Sequence, residues 1–524
     1  MMIMKIYDNV LMKGLYMMAT AALALTFAGC SKNDEPEDEL KPEVHVGKVE
    51  VSSSQVVFPV DGGSKTIAVA TNSEWHLDCD YTWMSIDADL NSGTVTVSAE
   101  KNTTGATRYG VISVICGDEG YTDSRDIRVM QTYEPEDLVK DGVTANCYIA
   151  HTKASYRFPA KVKGNGAGDG NSKYIAAEGL EIKNAAFAEL VWEAVPDGDK
   201  TRSTYVIDGE PMYDGENIYF STGKAAGNAV VAVCAADGTI LWSWHIWITD
   251  KTNDELLAQA ETYTMYPAYE QAYGAGTAVM MDRNLGAIFK EDGAYARSFR
   301  APLYQWGRKD PFPWGLVVFD AQSVPHNYID GWRPVQTTGA PGQYVGYVGN
   351  TWYATAHPDL FIATVAGTSY DWYYGGGKGN GPDYRNNELW GNPTGYTVGQ
   401  TTTKTLFDPC PPGWKMPHPY VFSAFTKTGN TATVASGDVN TTGSFVQGWN
   451  FVYDGTNTTY YPGVGYRYDE YGTFSFTPSG YYWSSAPAPS DTFGAWVFGL
   501  TGASIYQRYS DPRGFGLPVR CMKE

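Results

Sequence analysis

From residue 47 to 133 apolar and polar positions alternate with a period of two, the pattern of strands that bury one face. Ile67 and Val69 in KTIAVAT, Val95 and Val97 in TVTVSAE, and Ile127 and Val129 in DIRVMQT occupy the inward positions. Turn formers separate the runs at Asp61-Gly62-Gly63, Asn91-Ser92-Gly93 and Gly117-Asp118. About seven short strands at this spacing predict an immunoglobulin-like β-sandwich. Trp75, Leu77 and Cys79 share one parity, as do Ile112, Val114 and Cys116, which points both cysteines at its core. Strand patterning continues from 134 to 250, where VIDGEPMYDGENIYFSTG and NAVVAVCAADGTILWSWHIWITD read as hairpin-like units turning at Asp-Gly. The run 240–248 sets Leu241, Ser243, His245 and Trp247 against Trp242, Trp244 and Ile246, so this strand is expected to be covered on both sides.

Beyond residue 250 the pattern gives way to separated motifs. In DPCPPGWKMP, residues 408–417, Pro409, Pro411 and Pro412 hold the chain extended, Gly413 turns it and Trp414 supplies a large buried anchor. Pro419 suits the first turn of a short helix whose Val421, Phe422 and Phe425 share a face. The fold expected is therefore mainly β: a sandwich over 47–133, a middle β domain over 134–250, and a C-terminal α+β domain over 251–524. Composition agrees, since 57 Gly, 28 Pro and 14% aromatic residues against 18% charged favour strands and turns over helical bundles. A chain of 524 residues also exceeds what one core usually supports.

The N-terminus predicts the compartment. Lys5 and Lys13 precede an apolar run from Gly14 to Gly29, too short to span a membrane but suited to a signal peptide. Cys30 follows at once, and LTFAGC resembles a bacterial lipobox, which implies cleavage before Cys30 and acylation of its thiol. Acyl chains, at about 0.8 kcal/mol per buried CH2, would then hold the protein to the outer membrane. Residues 30–46, acidic and proline-punctuated, bury too little surface to order themselves and form a tether. An acidic run at this position also resembles the export signal of surface lipoproteins of the Bacteroidetes. A formal charge of −20 disfavours nucleic acid as a partner.

Six cysteines remain after Cys30, and six allow 15 pairings. They fall two by two into the three regions, favouring Cys79 with Cys116, Cys147 with Cys234, and Cys410 with Cys521. The last would clip the terminal strand beside the proline-rich motif. No CxxC and no HExxH spacing occurs, so neither a metal nor another cofactor is expected. The glycine-rich stretch 163–173 lacks the frame of a phosphate loop. Asp282, Asp310 and Asp371 are expected in buried ion pairs, Asp282 with Arg283 and Asp310 with Arg308 or Lys309, rather than in catalysis.

Two resemblances add to this. FPVDGGSKTIAVATNSEWHLDCDYTWMSI, the TVTVSAEKNTTGATRYGVISV hairpin and a closing VMQ resemble a BACON domain, which implies a carbohydrate- or mucin-associated surface module or a spacer. MDRNLGA at 281–287, YQWGRKDPFP, DPCPPGWKMP, YYWSS and GLPVRCMKE, in that order, resemble the Fibrobacter-type major paralogous domain, also met at the end of fimbrillin-like surface proteins. This implies a scaffold with some likeness to C-type lectin and formylglycine-enzyme folds.

The segment 341–400 holds 12 aromatic residues and 12 Gly with no sustained period. Aromatic faces cover the CH face of a sugar while amides and carboxylates take its hydroxyls. Trp352, Tyr353, Asp371, Trp372, Tyr373, Tyr374, Asn386, Asn387 and Trp390 are the candidate glycan contacts, with Asn380 and Asp383 interleaved. The function expected is a non-catalytic, lipid-anchored surface protein that binds host mucin or dietary glycan. A fimbrial tip or accessory adhesin pairing with fimbrial subunits is the alternative, and a glycan-active enzyme a third, for which no catalytic set is recognisable.

Overall fold

Strands and short turns dominate the computed structural model, which describes residues 46–165, 180–195, 205–269, 276–290, 301–313, 317–320, 324–327, 336–337, 350–364, 370–373, 386–391, 403–470, 472–488 and 493–524. In the first region two four-stranded sheets share one core. One runs in the order Val49–Val51, Gly63–Thr71, Thr94–Ala99, Met84–Asp89; the other Gln55–Phe58, Asp123–Gln131, Arg108–Cys116, Trp75–Asp78. The inward positions of the alternation, Ile67, Val69, Val95, Val97, Ile112, Val114, Ile127 and Val129, meet between them with Trp75.

The pairing of Cys79 with Cys116 does not form; both are free. Shared parity put both toward the core but said nothing of register. Trp75 stands opposite Cys116, and Cys79 lies past the last ladder pair, Asp78 with Ser113. At about 3.3 Å per residue that displacement is on the order of 13 Å, well beyond the Cα separation of about 7 Å that a disulfide can bridge.

The middle region carries a six-stranded sheet in the order Cys147–Ala150, Ile240–Ile248, Gly227–Cys234, Phe187–Val195, Val317–Asp320, Pro325–Asn327. A four-stranded sheet, Ile207–Tyr213, Asn217–Thr222, Ser155–Pro159, Glu136–Asp137, packs on it, with Phe158 meeting Trp244 edge-on at 5.1 Å. Alternation along Gly227–Cys234 sends Ala229, Val231 and Val233 to the large core that holds Cys147, and Val230, Ala232 and Cys234 to a separate one. Cys147 and Cys234 therefore face opposite sides of the sheet, and this second expected disulfide is also not formed.

The strand Ile240–Ile248 is covered on both sides, as its doubly bulky sequence requires. Its second cover comes from beyond residue 250: the Ser243 hydroxyl donates to Asp310 at 2.7 Å and His245 bonds the Tyr304 hydroxyl at 3.1 Å. The last two strands of the six-stranded sheet lie beyond residue 250 as well, so the expected boundary there is bridged by a sheet and a core. Residues Val46–Glu524 form one compact unit.

The C-terminal half is built of small sheets with short helices, Asn253–Ala258, Thr351–Ala356 and the 3-10 helix Pro419–Phe425. The proline-rich motif behaves as its chemistry predicts. Cys410 is bonded to Cys521, 111 residues on, with Cα atoms 6.1 Å apart. Trp414 is buried and pairs with Lys523 of the terminal strand. The Asp408 carboxylate accepts the amides of Cys410 and Met416 at 2.9 and 2.8 Å and so shapes the turn. Pro419 opens the 3-10 helix, and Val421, Phe422 and Phe425 enter a core with Tyr461 and Phe498.

Candidate functional site at the sandwich junction

The first sandwich is fastened to the middle sheets. Gln55, 5% exposed, reaches across the junction: its amide nitrogen donates to the carbonyls of Ala188 (2.8 Å) and Pro211 (3.3 Å), and its oxygen accepts the amides of Ala188 and Tyr213, both at 2.9 Å. Val57 and Met130 pack on Met212 beside it. A buried amide with all of its bonds crossing an interface fixes geometry better than exposed pairs do.

Beside this junction a cleft of about 520 Å3 opens between Gly105, Ala106 and Thr107 of the sandwich, the connecting segment Tyr133 to Glu136, and Lys153, Ser155, Tyr205, Asp208, Ser221 and Lys224 of the middle region. A chain of hydroxyls crosses it. The Tyr133 amide donates to the Thr107 hydroxyl at 3.2 Å, Thr107 contacts the Ser155 hydroxyl at 2.7 Å, and Ser155 contacts that of Ser221 at 3.0 Å. Tyr109 braces the wall residue Asp208 from the sandwich side, its hydroxyl donating to the Asp208 carbonyl at 2.8 Å while its ring lies on Gly209. Gly209 has φ +76° and a Cβ there would meet the ring at 2.5 Å, so only glycine admits this contact. Burial holds the Tyr109 phenol above its ordinary pKa, which keeps it a neutral donor.

Two further features mark the cleft. Glu134 and Lys153 in its wall have φ of 43° and 60°, the left-handed region that side chains rarely adopt. Such positions persist only where the surroundings impose them, and they concentrate at binding sites. The charged groups around the rim, Glu134, Glu136 and Asp208 against Lys153 and Lys224, are mixed in sign and exposed. With Tyr133 and Tyr205 in the walls, this combination suits a hydroxyl-rich ligand of modest charge.

The candidates from segment 341–400 meet a different fate. Trp372 and Trp390 are almost fully buried, and their indole N–H groups donate inward to the carbonyls of Trp306 and Phe407. Tyr373 is buried against Trp372. Asp371, Asn386 and Asn387 are gathered, but around a buried arginine: Arg513 lies 3.7 Å from the Asp371 carboxylate, donates to Asn387 at 2.6 Å, and stacks over Trp306 at 4.6 Å. Trp372, Tyr373, Trp390, Asp371 and Asn386 are therefore core, packed with the buried Trp306 and Arg513, and Asn387 is half-buried beside them. Tyr353 is half buried against His357, and its helix neighbour Trp352 is 60% exposed. Tyr374, Asn380 and Asp383 lie outside the described residues, as does Cys30. The expected ion pairs form at Asp282 with Arg283 (2.9 Å) and Lys309 with Asp310 (2.5 Å). Among the described residues no group of three or more His, Cys, Asp or Glu could hold a metal ion.

The cleft residues themselves were missed from sequence. They come from five separated segments, and no spacing joins them.

No curated protein matches the chain. Solved structures show weak likenesses to it over 19% to 60% of the chain. A Bacteroides ovatus GH5 xyloglucanase in complex with a XXXG heptasaccharide is 21% identical over 19% of this chain and 21% of that one, with a TM-score of 0.15. An endo-fucoidan hydrolase of glycoside hydrolase family 107 is 13% identical over 39% of this chain and 29% of its own, with a TM-score of 0.15. The Yersinia pseudotuberculosis adhesin InvE is 11% identical over 60% of this chain and 84% of its own, with a TM-score of 0.12. The chain thus spans about a fifth to a third of the length of these enzymes, and at such TM-scores the likenesses carry no argument. The family described as "BACON: Putative binding domain, N-terminal" matches residues 73–132, which contribute Gly105, Ala106 and Thr107 to the cleft. The chain carries a BACON domain at residues 73–132.

Proposed function

We propose that the chain is a non-catalytic saccharide-binding protein, lipid-anchored through Cys30 at the bacterial surface, whose binding site is the cleft between the BACON domain and the middle sheets. The observation that carries this reading is the hydroxyl chain Thr107, Ser155, Ser221, set between Tyr133 and Tyr205 in an open cleft of about 520 Å3. Aromatic walls cover the apolar faces of a sugar ring, and hydroxyls and rim carboxylates exchange hydrogen bonds with its hydroxyl groups. The rigid junction at Gln55 supports it, since walls held in place before binding lower the ordering cost of binding. The fimbrillin-like resemblance of the C-terminal half fits a surface protein and adds no chemistry.

The test is a panel of mucin, host and plant polysaccharides presented to the full-length chain and to Tyr205→Ala. Binding to at least one, weakened about tenfold or more in the variant as for a buried aromatic contact, is expected. Failure to bind any member of the panel removes the reading. For the anchor, mass spectrometry should find an acylated Cys30 at the mature terminus; an unmodified thiol there removes that part alone.

A further inference from the structure

A second surface, built wholly from residues after 465, presents a row of tyrosines. Tyr466 in the strand Tyr466–Arg467 packs edge-on against Tyr468 at 4.9 Å, Phe515 at 5.4 Å and Tyr481 at 5.7 Å between ring centroids. Its hydroxyl donates to that of Tyr468 at 3.0 Å. Tyr481, in Gly480–Pro487, stands in register with Gly499 of the neighbouring strand Gly494–Leu500, and Gly499 in turn with Tyr506 of Ser504–Pro512. A Cβ at Gly499 would lie 3.2 Å from the Tyr481 ring, so that ring rests on bare backbone and bridges toward Tyr506. Tyr506 meets Tyr509 at 5.7 Å. The ends of the row, Tyr468 and Tyr509, are 40% and 48% exposed, and Tyr466, Tyr481 and Tyr506 between them are half buried.

Three properties select the occupant. Each ring is wedged by its neighbours, so the surface is held in shape before any ligand arrives. The row contains no exposed Leu, Ile, Val or Met, which an apolar docking face would carry; every exposed ring in it ends in a hydroxyl. The strand Ser504–Pro512 places a carboxylate, Asp511, beside the row, close enough to act with burial, the larger cause, in holding the Tyr481 phenol above its ordinary pKa, while the Arg508 guanidinium of the same strand lies over Tyr420 and Trp496. On a chain of net charge −20 a carboxylate beside the row repels sulfate or uronate groups and leaves uncharged polyols as the complementary partner.

We propose that this tyrosine row is a second saccharide-binding surface, selective for uncharged sugar chains over acidic ones. It rests on the reading of the protein as a saccharide binder but not on the junction cleft. Two sites on one compact unit would let a single chain long enough to reach both engage them together, raising avidity without any new contact.

The experiment measures retention of the full-length chain on uncharged polysaccharides, xyloglucan, mixed-linkage β-glucan and galactomannan, and on acidic polygalacturonate. The variants are the double Tyr468→Ala and Tyr509→Ala, the double Tyr468→Phe and Tyr509→Phe, Asp511→Asn, and the cleft variant Tyr205→Ala. The exposed alanine pair should weaken binding to an uncharged chain about tenfold while still unfolding in a cooperative transition, and the phenylalanine pair about threefold or less. Asp511→Asn should raise retention on polygalacturonate. The proposal is overturned if the alanine pair binds as the parent does in the Tyr205→Ala background, or if the parent holds polygalacturonate as tightly as the uncharged chains. Loss of all binding in the row variants with none in Tyr205→Ala removes the cleft reading and keeps this one. No retention of the parent on any of the four polysaccharides overturns the row proposal, while retention on mucin under the same conditions would leave the cleft reading standing.

Discussion

Replacing Gln55 by Leu keeps most of the side-chain volume and removes every hydrogen bond that the side chain makes. The amides of Ala188 and Tyr213 lose their acceptor, and the carbonyls of Ala188 and Pro211 lose a donor. Each orphaned buried N–H costs about 1–3 kcal/mol, so the two amides alone put the penalty at about 2–6 kcal/mol. Water reaching the loosened junction brings it toward the lower half, about 3 kcal/mol. The ion pair Arg128 with Glu210 spans the same junction at 2.9 Å, but its side chains are 45% and 53% exposed. Exposed pairs contribute about 0–1 kcal/mol, so Arg128→Ala should scarcely register. Urea unfolding gives the two penalties, and hydrogen exchange locates them. Gln55→Leu should lower stability by about 3 kcal/mol and should speed exchange throughout the sandwich, whereas Arg128→Ala should do neither. A penalty under about 1 kcal/mol for Gln55→Leu, or a larger one for Arg128→Ala, would refute the argument that the buried amide fixes the junction.

Burial holds His245 and His418 neutral, each lowered to about 3 from an ordinary value near 6.5. A folded state that cannot take up these protons loses stability as pH falls below 6.5, about 2 kcal/mol per histidine by pH 5. Burial also pushes the Asp408 carboxyl up to about 6, which favours the fold in the same interval by about 1 kcal/mol. The net expectation is a denaturant midpoint lower at pH 5 than at pH 7, with a flatter profile in His245→Gln; a midpoint that rises on acidification contradicts it. Replacing Cys410 and Cys521 together by Ala should cost up to about 4–5 kcal/mol for a closed loop of 111 residues, and unfolding without reductant should expose alkylatable thiols at Cys79, Cys116, Cys147 and Cys234 but not at those two. Trp372→Ala should cost about 3–5 kcal/mol as a core truncation, read as a lower thermal midpoint; an unchanged midpoint with lost saccharide binding would return Trp372 to the surface role first expected of it.

The sequence determined what depends on local chemistry. Period-two alternation located the strands of the first sandwich and its inward residues, because the two faces of a strand differ only by parity. The prolines, Gly413 and Trp414 dictated the turn that carries Cys410, and the doubly apolar run 240–248 required cover on both sides. Register, partner and depth were decided by tertiary structure. Parity could not tell that Trp75 rather than Cys79 faces Cys116, nor that Cys147 and Cys234 lie on opposite faces of one sheet. Composition could not tell a tryptophan that presents a face to solvent from Trp372 and Trp390, which point their N–H groups inward to the carbonyls of Trp306 and Phe407. The cleft lies where the first sandwich packs on the middle sheets, at the junction that Gln55 spans, and this packing brings Thr107 and Ser155 within one hydrogen bond though they lie far apart along the chain. Such a contact is set by how whole sheets pack, and no stretch of sequence short enough to read as a motif contains it.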